Sequence, residues 1–179
     1  RCVFWHFRCV NHLPVRPGFH VGVQFKVGVI MARYTRMEVL NSMAEVGLVV
    51  VFYHPELEVV KNVAEACAEG GARLLEFTNR GDFAYQTFGE LEQYCTKSIP
   101  EMITGVGSIV DAGTAALYIN NGANFVVGPV LNADVAKTCN RRKVPYSPGC
   151  GSATEISQAE ELGCEIVKVF PGGEVGGPA

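Results

Sequence analysis

Short apolar runs alternating with helical segments constrain this chain more than any other feature. GLVVVFY (47–53) is a short apolar run enriched in β-branched residues, the mark of a strand buried on both faces. Before it, 34–46 carries Met37, Val39, Leu40, Met43 and Ala44 at helical spacing. After it, 56–70 reads as a helix closed by Gly70-Gly71, a pair suited to a left-handed C-terminal cap. The alternation continues through strand ARLLEFT, helix 84–97, strand EMITGVG, helix 112–120, strand ANFVVGP, helix 133–139, strand VPYSPG, helix 154–162 and strand CEIVKVFP. Each of the six strands is joined to the next by a helical segment, the crossover that parallel pairing demands. The pattern therefore predicts an α/β protein with a parallel sheet, either a (β/α)8 barrel or an open doubly wound sheet.

The first thirty residues do not share this grammar. They hold the only Trp and three of the four His, and Met31 reads as a natural start, so 1–30 is expected to be a leader of doubtful origin and 31–179 a single α/β domain. Residues 1–30 lack the compact apolar core of a signal peptide. Seven cysteines without a C-x-x-C pair read as reduced thiols of a cytoplasmic protein. Cys2, His6, Cys9 and His12 fit no familiar metal-ligand spacing. A net charge of -3 with scattered Lys and Arg argues against nucleic acid as a partner, and the longest apolar runs are too short to span a bilayer.

Two charged residues stand where charge is costly. Lys168 lies between valines in CEIVKVFP, on the strand face shared with Ile166 and Phe170. Desolvation favours the neutral amine, which attacks a ketone to form an iminium; the plain alternative is a lysine that reaches solvent or pairs with a carboxylate. Glu76 lies inside ARLLEFT, on the face of Leu74 and Thr78, and reads either as a proton shuttle or as half of a structural ion pair. Arg80 follows just past that strand, where a guanidinium suits the carboxylate of an α-keto acid or simply faces solvent. Gly105-Val106-Gly107 lacks full dinucleotide-loop spacing and reads as a strand-end turn, and 140–143 reads as a solvated basic run.

LEFTNR, GVGSIV, VVGPV, SPGCGSATE and VKVFPG, in this order and at these separations, resemble the 2-keto-3-deoxy-6-phosphogluconate and 4-hydroxy-2-oxoglutarate aldolases over 31–179. The resemblance implies a (β/α)8 TIM barrel, here truncated after its sixth strand. It also implies a cytoplasmic homotrimer without metal or organic cofactor, and a place in Entner–Doudoroff-type carbohydrate metabolism. The implied activity is a class I lyase that splits a 4-hydroxy-2-oxo acid into pyruvate and an aldehyde. Lys168 matches the Schiff-base lysine, Glu76 the acid–base group and Arg80 the carboxylate clamp. Ser108 stands where the family usually has threonine near the pyruvyl group, and Pro129 matches a pocket-lining proline. Pro148 and Gly149 match the loop after the fifth strand, Ser152 lies near the aldehyde end, and Phe170 packs beside the imine. The rival expectations are a phosphate-binding barrel with another activity, such as an isomerase, and an inactive barrel fragment.

Overall fold

The computed structural model describes residues 32–175. The leader and the cysteine–histidine group at its start lie outside the described residues. Helix α1 (Arg36–Val46) opens on a capping box in which Thr35 Oγ1 accepts from Glu38 N and Glu38 Oε2 accepts from Thr35 N. Strand β1 (Val50–Phe52), helix α2 (Leu57–Glu69), strand β2 (Leu74–Thr78) and helix α3 (Ala84–Ser98) follow. Next come β3 (Ile103–Gly107), α4 (Ala112–Asn120), β4 (Val126–Val127) and α5 (Ala133–Arg142). The described chain ends with β5 (Tyr146–Ser147), β6 (Gly149–Cys150), α6 (Ala153–Glu161), β7 (Lys168–Val169) and the single turn α7 (Gly172–Val175).

Six strand positions were expected, and the fifth is split. Strands β1 to β5 pair in sequence order, all parallel, while β6 pairs with β7. Pro148 has no N–H to offer the ladder, so it separates β5 from β6. Pairing nonetheless passes through it, because Gly149 N donates to Gly128 O and Lys168 N donates to Pro148 O. The cap of α2 is left-handed, as the Gly70-Gly71 pair implies. Gly70 is right-handed, and Gly71, at φ +85°, takes the left-handed position. Ala72 N donates to Cys67 O and Gly71 N to Ala68 O, the two bonds of a Schellman motif.

The two faces of the sheet separate the fold alternatives. Helices α2 to α6 bury Val60, Phe88, Leu91, Ile119, Val135 and Ala159 with the outward strand residues Leu75, Phe77, Val106, Val126 and Tyr146. On the other face Leu74, Ile103, Phe125 and Val127 form their own cluster, joined by Val39 of α1. Crossover helices on a single face, with strand side chains converging on the other, are the mark of a barrel-type sheet; a doubly wound sheet distributes helices over both faces. Helix α1 covers the end where the strands begin. Arg33 donates to Pro100 O, Met102 O and the buried carboxylate of Glu92, and Arg36 donates to Asn140 Oδ1, Gly163 O and Glu165. Asn140, expected in a solvated run, thus anchors α1, and Arg142 beside it donates to Asn120 Oδ1.

Candidate active site

Glu76 projects from the middle of β2 onto the inner face and is only 4% exposed. Its carboxylate lies across Gly107: a Cβ at that position would stand 1.8 Å from Oε1. Gly105 is similarly occupied, since a Cβ there would meet the Phe125 ring at 2.4 Å. The expected strand-end turn is therefore strand β3 itself, and its glycines leave room for an inward carboxylate and an inward ring.

Lys168 projects from β7 and is half-buried, with Nζ 4.9 Å from the Phe170 ring centroid. Glu76 and Lys168 line one cavity of about 240 Å³, together with Met43, Val49, Val51, Phe125, Val127, Ser147, Ile166 and Val167. Of these side chains only Glu76, Ser147 and Lys168 are polar. The carboxylate and the ammonium do not form one of the ion pairs of the described residues. They interact through space: burial pushes the Glu76 carboxyl above the ordinary carboxylate value, while the charges of Lys168 and Arg80 pull it back. A carboxyl held closer to neutrality is suited both to accept and to return a proton. Sequence reading missed Ser147. Its signal is parity alone, since Tyr146 points outward and the next residue of β5 must point inward.

The other expected residues follow the C-terminal ends of the strands, the end at which barrel enzymes place their chemistry. Arg80 is exposed, two residues past β2. Ser108 directly follows β3 at φ +61°, a left-handed backbone that is uncommon for a side chain with a Cβ. Pro129, half-buried, follows β4, and its carbonyl lies so close to Gly149 that a Cβ there would stand 2.2 Å away. Pro148 and Gly149 are buried. Ser152 caps α6, accepting from Glu155 N and donating to Glu155 Oε2, so its hydroxyl is engaged within its own turn. Phe170 is 41% exposed beside Lys168. None of these residues lines the cavity: the structure brings together Glu76 and Lys168, places Gly149 inside β6 beside Lys168 rather than in a loop, and leaves the others past strand ends.

The sequence model of the "KDPG and KHG aldolase" family matches residues 39–179. The chain belongs to that family. A "2-dehydro-3-deoxy-phosphogluconate aldolase" of Treponema pallidum is 32% identical over 141 residues, covering 79% of this chain and 65% of that protein. The 2-keto-3-deoxy-6-phosphogluconate aldolase structure of Zymomonas mobilis ZM4 with 3-phosphoglycerate superposes with a TM-score of 0.64 at 28% identity, covering 72% of this chain and 59% of that one. The KDPG aldolase of Legionella pneumophila, holding pyruvate as a covalent carbinolamine, gives 0.65 at 26% identity, covering 72% and 61%. The chain spans 65% and 66% of the length of the first two curated relatives it matches. Among the described residues no helix is long and apolar enough to cross a membrane, and no group of three or more His, Cys, Asp or Glu is placed to hold a metal ion.

Proposed function

We propose that the protein is a class I aldolase cleaving a 4-hydroxy-2-oxo acid, either 2-keto-3-deoxy-6-phosphogluconate or 4-hydroxy-2-oxoglutarate, to pyruvate and an aldehyde. The observation that carries this reading is the placement of Glu76 and Lys168 on one cavity whose remaining walls are apolar except for Ser147. Covalent capture of pyruvate in the related Legionella protein supports the role given to the lysine.

The Lys168 amine adds to the C2 carbonyl of the substrate to form a carbinolamine, which loses water to become an iminium. Glu76, directly or through a water molecule, takes the proton of the C4 hydroxyl. The C3–C4 bond then breaks, its electron pair entering the iminium to form an enamine, and the aldehyde departs. Glu76 returns the proton to C3, and water hydrolyses the resulting pyruvyl iminium to pyruvate and free Lys168. Arg80 and Ser108 hold the substrate carboxylate; Pro129, Pro148, Gly149 and Phe170 wall the reacting centre, and Ser152 stands toward the aldehyde end. In this reading the strands are six staves of a (β/α)8 barrel. The working form is a cytoplasmic homotrimer serving Entner–Doudoroff-type carbohydrate metabolism.

The test is pyruvate release from each acid, followed by coupled reduction to lactate. The expected result is release from at least one acid and its loss in Lys168→Ala. Release from neither acid, or undiminished release by Lys168→Ala, contradicts the proposal.

A further inference from the structure

Arg80 lies between two residues that each meet a tyrosine. Asn79 precedes it: its N–H donates to Gly107 O at 2.9 Å, and its side-chain Oδ1 accepts from Tyr118 Oη at 2.9 Å. Gly81 follows it, and a Cβ there would stand 2.0 Å from Tyr53 Oη, so the Tyr53 hydroxyl lies directly against that backbone. The two tyrosines are linked by a row of rings in tilted and edge-on contact. Tyr53 stands 5.5 Å from Phe77, Phe77 6.1 Å from Phe88, and Phe88 5.4 Å from Tyr118, centroid to centroid. Phe77, Phe88 and Tyr118 are fully buried, so this row is a fixed platform under an otherwise exposed turn. Burial raises the Tyr118 hydroxyl to about 12, which keeps it a donor at any working pH.

We propose that Tyr118 and Asn79 are positioning residues that, together with Tyr53 packed on Gly81, fix the turn of Arg80 so that its guanidinium meets the carboxylate of a 2-oxo acid. The inference rests on the reading of Arg80 as the carboxylate clamp. An exposed arginine pays its side-chain entropy on binding whatever its backbone does, but a backbone already fixed on both sides removes the cost of ordering the turn. The clasp therefore acts on the concentration of keto acid needed and leaves the chemistry at Lys168 alone.

The experiment measures borohydride trapping of the chain as a function of pyruvate concentration, which separates half-saturation from maximal rate. Tyr118→Phe is expected to raise the half-saturating pyruvate about fivefold or more, the worth of one hydrogen bond, with the maximal trapping rate within about twofold. Because Tyr118→Phe leaves Asn79 Oδ1 without its donor, Tyr118→Phe/Asn79→Leu serves as the second variant. Making both partners apolar restores the melting temperature but leaves half-saturation raised. In Arg80→Ala the half-saturating pyruvate rises, and adding Tyr118→Phe raises it no further, because both changes act through one group. The proposal is overturned if Tyr118→Phe leaves half-saturation within about twofold, if the doubly apolar variant regains normal half-saturation, or if the Tyr118→Phe effect multiplies onto that of Arg80→Ala. An Arg80→Ala chain with unchanged half-saturation shows instead that Arg80 is not the clamp, which removes the premise.

Discussion

Gly107→Ala tests the link between the strand glycine and the acid–base carboxylate. The added Cβ would stand 1.8 Å from Glu76 Oε1, 2.6 Å from Cδ and 2.9 Å from Cγ, whereas real Cβ atoms essentially never approach closer than 3.0 Å. Relieving the contact from 1.8 to 3.0 Å displaces the carboxylate by about 1.2 Å. Misplacing a catalytic group by about 1 Å costs roughly 100-fold in rate, or about 2.7 kcal/mol at 1.36 kcal/mol per tenfold. Overpacking also destabilises the fold by about 1–3 kcal/mol, so the assay must separate misplacement from unfolding. Exchange of the pyruvate methyl protons in deuterated water, read by NMR, reports the proton step at C3, and borohydride trapping reports imine formation. The expected outcome is exchange slowed about 100-fold with trapping within a fewfold of normal. Gly105→Ala crowds the Phe125 ring in place of the carboxylate and serves as the packing control. Exchange by Gly107→Ala within threefold of the unsubstituted chain refutes the reasoning.

Glu76→Gln separates chemistry from stability, and cleavage should fall about 100- to 10,000-fold. The folded carboxyl binds its proton more tightly than the unfolded one, so it costs stability as pH rises through its raised folded pKa and costs nothing below the ordinary carboxylate value. Glu76→Gln should therefore melt at or above the unsubstituted chain near pH 8, with the difference shrinking toward about pH 4; a variant that melts lower at pH 8 contradicts this. Arg33→Ala removes the cation paired with buried Glu92 and should cost about 3 kcal/mol in urea unfolding; a loss under about 1 kcal/mol contradicts the anchoring of α1. The Cys95 and Cys139 thiols, both pushed up to about 12 by burial, should resist iodoacetamide in the native chain; mass-spectrometric labelling within minutes at neutral pH argues against their packing.

The elements themselves were legible because each strand is short, apolar and bounded by a helical segment. Helix 112–120 was placed to the residue, and the strand at 72–78 and helix at 56–70 differ from the observed bounds by one or two residues at their ends. The division of the fifth strand was not read, although Pro148 was visible; which partner uses each half depends on contacts with β4 and β7. The destination of α1 was also hidden. Its periodicity marks a helix but does not say that Arg33 and Arg36 reach loops 67 to 129 residues away, nor that Met37 stays 63% exposed. At the site, Glu76 and Lys168 stood out because charge inside an apolar strand is costly. Gly107 and Ser147 did not, because a glycine at a strand end resembles a turn, and which face of VPYSPG points inward is unknown until the neighbouring strand's register is known. Asn79 and Tyr118 are 39 residues apart, and nothing local to either points to the other.

The most direct test of the central claim is the identity of the residue that carries pyruvate. The chain is incubated with pyruvate, reduced with borohydride, digested and mapped by peptide mass spectrometry. The account predicts a single stable pyruvyl adduct on Lys168, absent when pyruvate or borohydride is omitted. An adduct on another lysine such as Lys143, or a folded chain with no adduct, contradicts it.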